Sequence, residues 1–304
     1  MTTLVDQPGA APGPLRRRTA NRPAGSRRVR GGAAWRTAAN AAAVVVAVAW
    51  VFPVYWMLNS SLLPQREVRS REPTFIPAGG SLDSYRRVFE TDFLNALRLS
   101  ATITVLTVVL TLAAAFLASL AVTRFRFRGR KGFVLTVLIV QMIPAEGLFI
   151  SQFKMLEGWQ LLNTVAGLTL LYVGAVVPFT IWMLRGFVNG VPVELEEAAM
   201  IDGCSRLRAF VKVTLPLLAP GLVASGIYAF ILAWNEFVLA LVIMNRPETM
   251  TLPVWLRTFI QANRATDWGA VMAGATLLAI PVVLFFLFVQ HRMTSGLVAG
   301  AVKG

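Results

Sequence analysis

Glu194, Glu196 and Glu197 open a short polar island between two long apolar runs, and Ala198, Ala199, Asp202 and Gly203 complete it. Carboxylates crowded into the first turn of a helix are favoured by its dipole and are available to pair with a cationic partner. The small side chains of Ala198 and Ala199 let another surface come close. This is the chemistry of recognition rather than of bond making. The chain carries no nucleophile elbow, no paired-carboxylate site, no metal-ligand spacing and no Gly-x-x-x-x-Gly-Lys-Ser/Thr phosphate loop. Its one cysteine, Cys204, excludes an internal disulfide framework, and its one histidine, His291, ends an apolar run as an interfacial residue.

The island needs short elements to hold it. Asn189-Gly190-Val191-Pro192 stops the preceding apolar helix and starts a new one, since proline is tolerated in a first turn. Gly203 is suited to the left-handed conformation that ends a helix. Ser205 reads as the cap of a second short helix with Leu207, Phe210, Val211 and Val213 on its apolar face. Leu215-Pro216 and Pro220 are expected to close that helix and redirect the chain. An interfacial helix usually carries Lys and Arg on its polar face, whereas the first helix here is acidic, which favours docking to a protein.

The rest of the chain is that of an all-α, polytopic membrane protein. Of its 304 residues 56% are hydrophobic and 14% charged. The apolar residues gather into runs near the roughly 20 residues a helix needs to cross a bilayer. Six spans are expected, at about 38–63, 95–123, 133–153, 164–187, 222–244 and 268–290. Residues 1–37, rich in Arg, Pro, Gly and Ala, form a basic tail without the composition of a core. The first span reads as an uncleaved anchor, and the stretch after it as an outside loop with a short helix around 81–89. Residues 188–221 make a cytoplasmic loop and 291–304 a C-terminal tail. Nineteen of the 29 Lys and Arg then fall on the side of both termini, five of them in the turn Arg124–Lys131. That excess places both termini in the cytoplasm and accounts for the net charge of +14 without nucleic acid. Phe125 and Phe127, among the arginines of that turn, read as headgroup anchors.

Three polar residues stand inside apolar runs: Glu146 after Pro144, and the pair Asn235-Glu236. Ionisable groups at membrane depth cost about 2.5–3.5 kcal/mol or more at a helix centre and tend to face water cavities or partners. They are candidate path residues, with an interhelical hydrogen bond as the competing role. Trp182, Trp234 and Tyr228 could stack on a sugar face or anchor at an interface.

Glu197-Ala198-Ala199, three residues, Gly203, then Leu215-Pro216 resembles the signature loop of permease subunits of binding-protein-dependent ABC importers. Glu194, Met200-Ile201-Asp202, Phe52-Pro53 with Tyr55-Trp56-Met57, Trp234-Asn235-Glu236-Phe237 and the C-terminal run 296–304 resemble the carbohydrate branch, the maltose-type or multiple-sugar permeases. Leu99 stands where that branch usually has Asn, and Cys204 where a small Ala is common. The resemblance covers about residues 50–304.

It implies a type I ABC importer permease fold in the plasma membrane and no enzymatic activity or cofactor. A second permease, generally a different chain, two ATPase subunits that hydrolyse the ATP, and an extracytoplasmic solute-binding protein are the implied partners. Glu194, Glu197, Ala198, Ala199, Asp202, Gly203, Leu215 and Pro216 would couple the ATPases to the spans, and a sugar or oligosaccharide would cross by alternating access. The competing readings are an importer permease for a polyol or glycerol phosphate, and a secondary transporter. The latter predicts paired intramembrane charges and internal repeats, of which the sequence has no convincing example.

Overall fold

The computed structural model describes residues 32–77, 79–260 and 266–301, with backbone alone for 32–34 and 291–301. Most of the basic tail, residues 1–31, lies outside the described residues. By contact the chain divides into two units, Met1–Val51 and Phe52–Gly304. The described part of the first is the start of α1 (Gly32–Leu62), whose side chains there are exposed.

The second unit is entirely helical among the described residues. After α1 come α2 (Gln65–Val68) and α3 (Asp83–Phe89), the short helix expected outside. Then follow α4 (Phe93–Arg124), α5 (Arg130–Val140), α6 (Phe149–Gly158) and α7 (Val165–Gly190). The polar island supplies α8 (Glu194–Ile201) and α9 (Arg206–Ala209), and the remainder α10 (Leu215–Asn235), α11 (Val238–Ile243), α12 (Leu252–Leu256) and α13 (Trp268–Ala301). Five helices are long and apolar enough to cross a membrane, six if the bent pair α5 and α6 counts as one span.

α4 packs on both α7 and α10. Its buried face repeats small hydroxyl residues every three or four positions, Ser100, Thr104, Thr107, Thr111 and Ser119 with Ala115. In lipid there is no hydrophobic drive between apolar helices, so close packing of small side chains does the work. The largest core cluster joins Ile103, Leu156, Leu168, Tyr172 and Ile243. Outside the spans, Arg87 of α3 holds Asp267 at 2.7 Å and so ties the outer loop to the start of α13.

Two spans differ from expectation. The third, expected as one helix over 133–153, is two helices bent by 94° between Val140 and Ala145. Pro144 lacks an N–H and disfavours helical backbone at Ile143, so the ladder stops there. The fifth was expected to begin at 222 after a closing Pro216 and Pro220. Instead one helix runs from Arg206 to Asn235 through both prolines. A π-turn at Phe210–Thr214 precedes Pro216 and widens the backbone where the proline ring needs room. The polar island is therefore one short helix and the end of a span, not two short helices. Farther along, the same span stops at Glu236 and resumes as α11.

Candidate functional site

The end of α7 is set by Val191, which is extended, and α8 starts three residues later with its three glutamates in the first turn. At its other end the Cys204 N–H donates to the Ala199 carbonyl at 3.0 Å and the Gly203 N–H to the Met200 carbonyl at 3.1 Å. These two bonds, with Gly203 at φ +89°, make a Schellman C-cap. Ser205 then accepts from the Arg208 N–H at 3.4 Å and starts the next helix, as its type suggested.

The three glutamates part company in space. Glu196 turns inward, where the Thr214 hydroxyl donates to its Oε1 at 2.5 Å. Arg124, the last residue of α4, lies 3.8 Å from the same oxygen and donates to the Val191 carbonyl at 3.0 Å. Both charged side chains are about 15% exposed. Glu194 and Glu197 are exposed, as are Ala198 and Asp202; Ala199 is half-buried. Beside them Ile201 and Leu207 are 87% and 73% exposed. Leu215 is half-buried and Pro216 exposed, both within the long helix. The island thus presents an acidic and apolar outer face, while Glu196 fastens α8 to the ends of spans two and five.

Neither Arg124 nor Thr214 could be paired with Glu196 from spacing alone. Arg124→Leu removes the cation beside Glu196 and the donor to Val191. It is expected to cost about 1–3 kcal/mol of stability, the range for a partly buried charged hydrogen bond, seen as a lowered melting temperature of the purified protein.

At membrane depth Glu236 is fully engaged. The Leu239 N–H donates to its Oε1 at 2.7 Å, the Ala240 N–H to Oε2 at 2.9 Å, and the Tyr172 hydroxyl to Oε2 at 2.8 Å. The carboxylate caps α11 and fastens it to α7. Asn235 is exposed, its amide donating to the Ile231 carbonyl at 2.9 Å. Glu146 is exposed in the 3-10 turn between α5 and α6. No hydrogen bond joins Glu146 to Asn235 or Glu236 among the described residues. Trp234 is buried, stacked on Phe230, and donates to the Leu278 carbonyl at 3.2 Å, so it has no face left for a ligand. Tyr228 stands 4.5 Å from the Phe179 ring, and Trp182 remains exposed.

The broken third span opens a cavity of about 430 Å³ against α7. Gln141, Gln152 and Trp159 line one side and Gly174, Ala175 and Pro178 the other. Gln152 Oε1 is buried without a hydrogen-bond partner. These polar residues were not singled out in the sequence, where Gln141 and Gln152 read as isolated interruptions of an apolar run. Pro144 between them was the available signal.

The family model described as the inner membrane component of binding-protein-dependent transport systems matches residues 108–295, which hold the island, the broken span and the capped break. The chain belongs to this family. It is a multi-pass membrane permease, a transport component and not an enzyme. The permease is 43% identical over 266 residues to the diacetylchitobiose uptake system permease protein of Streptomyces coelicolor, covering 87% of this chain and 96% of that one. It is 35% identical over 256 residues to the trehalose transport system permease protein of Mycobacterium tuberculosis, covering 84% and 93%. Its fold matches a chain in the crystal structure of a bacterial ABC transporter that imports the acidic polysaccharide alginate. There the TM-score is 0.73 at 22% identity, over 86% of this chain and 97% of the other.

Proposed function

We propose that this permease carries a sugar or oligosaccharide inward as one of two permease subunits in an ABC importer. The observation that carries the coupling half of this reading is α8, whose acidic and apolar outer face is unpartnered while its inner face is fastened to two spans through Glu196. A pair of cytoplasmic ATPase subunits pressing on Glu194, Glu197 and the Ala198-Ala199 surface would move spans two and five together. Asp202 and Gly203 hold the bend, and Leu215 and Pro216 continue it into the span. A solute-binding protein outside would deliver the substrate, and both termini would lie in the cytoplasm, on the side richer in Lys and Arg.

Relatives named for diacetylchitobiose and trehalose support the substrate class. So does the cavity at the broken span, whose volume falls in the roughly 300–1,000 Å³ range of small-molecule sites. Gln141 and Gln152 offer amide donors and acceptors for hydroxyls, and Trp159 an apolar face for a pyranose ring. Asn235 and Glu146 are the exposed members of the path, and Glu236 supports it from behind.

Gln152→Leu separates transport from stability. It removes an unpartnered buried oxygen, so the melting temperature is expected to stay level or rise. The sugar concentration for half-maximal uptake is expected to rise about fivefold, the equivalent of one lost hydrogen bond of about 1 kcal/mol. The substrate class itself is tested by uptake of a panel of radiolabelled mono- and oligosaccharides with the gene intact or deleted. Loss of one sugar's uptake, restored by the intact gene, supports the reading. Normal uptake of every sugar would hand the site to a non-sugar solute such as a polyol or glycerol phosphate.

A further inference from the structure

The turn between α4 and α5 holds more positive charge than the described residues compensate. From Phe93 to Ala145 the chain has no acidic residue, while Arg124, Arg126, Arg128, Arg130 and Lys131 crowd into this turn. Arg124 is used, since it faces Glu196 and the Val191 carbonyl. Arg126, Arg128 and Lys131 are exposed and Arg130 is half-buried, and none of the four makes an ion pair among the described residues. Arg126, Arg130 and Lys131 surround an open cup of about 350 Å³, together with Phe127 and two glycines. Gly129, at φ +91°, closes the turn that brings the two halves of the basic run to one cup.

Two further features say what fills it. Phe125 and Phe127 are 55% and 46% exposed and alternate with the arginines. Phe125 is extended, and in an extended run neighbouring side chains face opposite sides. The turn also joins the ends of two membrane-spanning segments, so it is confined to the bilayer surface. Rings beside cations at that level sit with the rings at the glycerol and acyl boundary and the cations among phosphates.

We propose that the Arg126–Lys131 cup binds the phosphate of an anionic phospholipid, of the phosphatidylglycerol class, with Phe125 and Phe127 seated in the acyl boundary. Four uncompensated cations select a net negative headgroup over a zwitterionic one.

The test uses the assembled transporter in detergent, titrated with phosphatidylglycerol or with phosphatidylcholine of equal chain length, and retained lipid is counted by native mass spectrometry. Phosphatidylglycerol should be retained preferentially. The triple variant Arg126→Gln, Arg128→Gln, Lys131→Gln should lose that preference, each charge contributing about fivefold. The matching variant Arg126→Lys, Arg128→Lys should keep it, which separates charge from folding. Equal retention of both lipids by the unaltered transporter would overturn the proposal. So would full displacement of phosphatidylglycerol by millimolar inorganic phosphate, which would make the cup a site for free anions. A glutamine variant that keeps its lipid preference but loses the ATPase subunits would assign the surface to a protein partner instead.

Discussion

Replacing Gly203 by valine is expected to abolish solute uptake while the subunit still reaches the membrane in normal amount. Gly203 sits at φ +89°, and a Cβ built there meets nothing within 4 Å. The obstacle is therefore torsional and not steric crowding by neighbours. A β-branched residue held in left-handed backbone costs about 1–3 kcal/mol, too little to unfold six packed spans and enough to open the C-cap. With the cap goes the fixed angle between α8 and the helix that begins at Arg206. Initial uptake rates beside the amount of subunit in isolated membranes check this. Gly203→Asn, which tolerates left-handed backbone, should retain a substantial part of the rate. Full uptake by the valine variant would mean that α8 need not be held rigidly.

Glu236→Ala is expected to be as damaging, by another route. It strips the acceptor from two backbone N–H groups and the Tyr172 hydroxyl, in surroundings where water does not readily replace it. Each unsatisfied buried donor costs about 1–3 kcal/mol, so the break in span five should lose its fixed geometry and the protein its thermal stability. Glu236→Gln keeps an acceptor and should fall between, and Tyr172→Phe, which removes a donor and leaves the cap on α11, should be the mildest. Melting temperatures of the three purified variants, measured beside uptake, give the order. If Glu236→Ala melted normally and only raised the sugar concentration needed, the carboxylate would be a substrate contact and not a brace.

What could be read in advance follows what local chemistry decides. The apolar runs announced the spans because length and composition alone make a segment fit a bilayer. Gly203 and Ser205 announced their caps because each needs only its own neighbours. The bend at Pro144 was missed because a run of apolar residues stays apolar across a break, and hydropathy does not see direction. Pro216 and Pro220 read as stops, yet the helix passes both. The span is held there from outside, by Glu196 on Thr214 and by Gly221 against Phe187, where a Cβ would come 2.4 Å from the ring carbon Cγ. Glu236 was conspicuous in its apolar run, but its partner Tyr172 lies 64 positions away, and nothing in the spacing links them. Pairings across the bundle are decided by packing, and packing is where one-dimensional reading stops.

The π-turn at Phe210–Thr214 has one more consequence. It fits an additional residue into a single winding of the backbone, and each residue in an ordinary helix advances about 100° around the axis. Span five therefore has two possible phases, with the surplus residue stored or released. Releasing it would turn everything from Leu215 onward by about that angle against α9. Gly221 would swing off the Phe187 ring and Thr214 would leave Glu196. A one-residue deletion in this stretch is thus a rotation and not a shortening: the span would keep its reach across the bilayer and present a different side of itself to its neighbours.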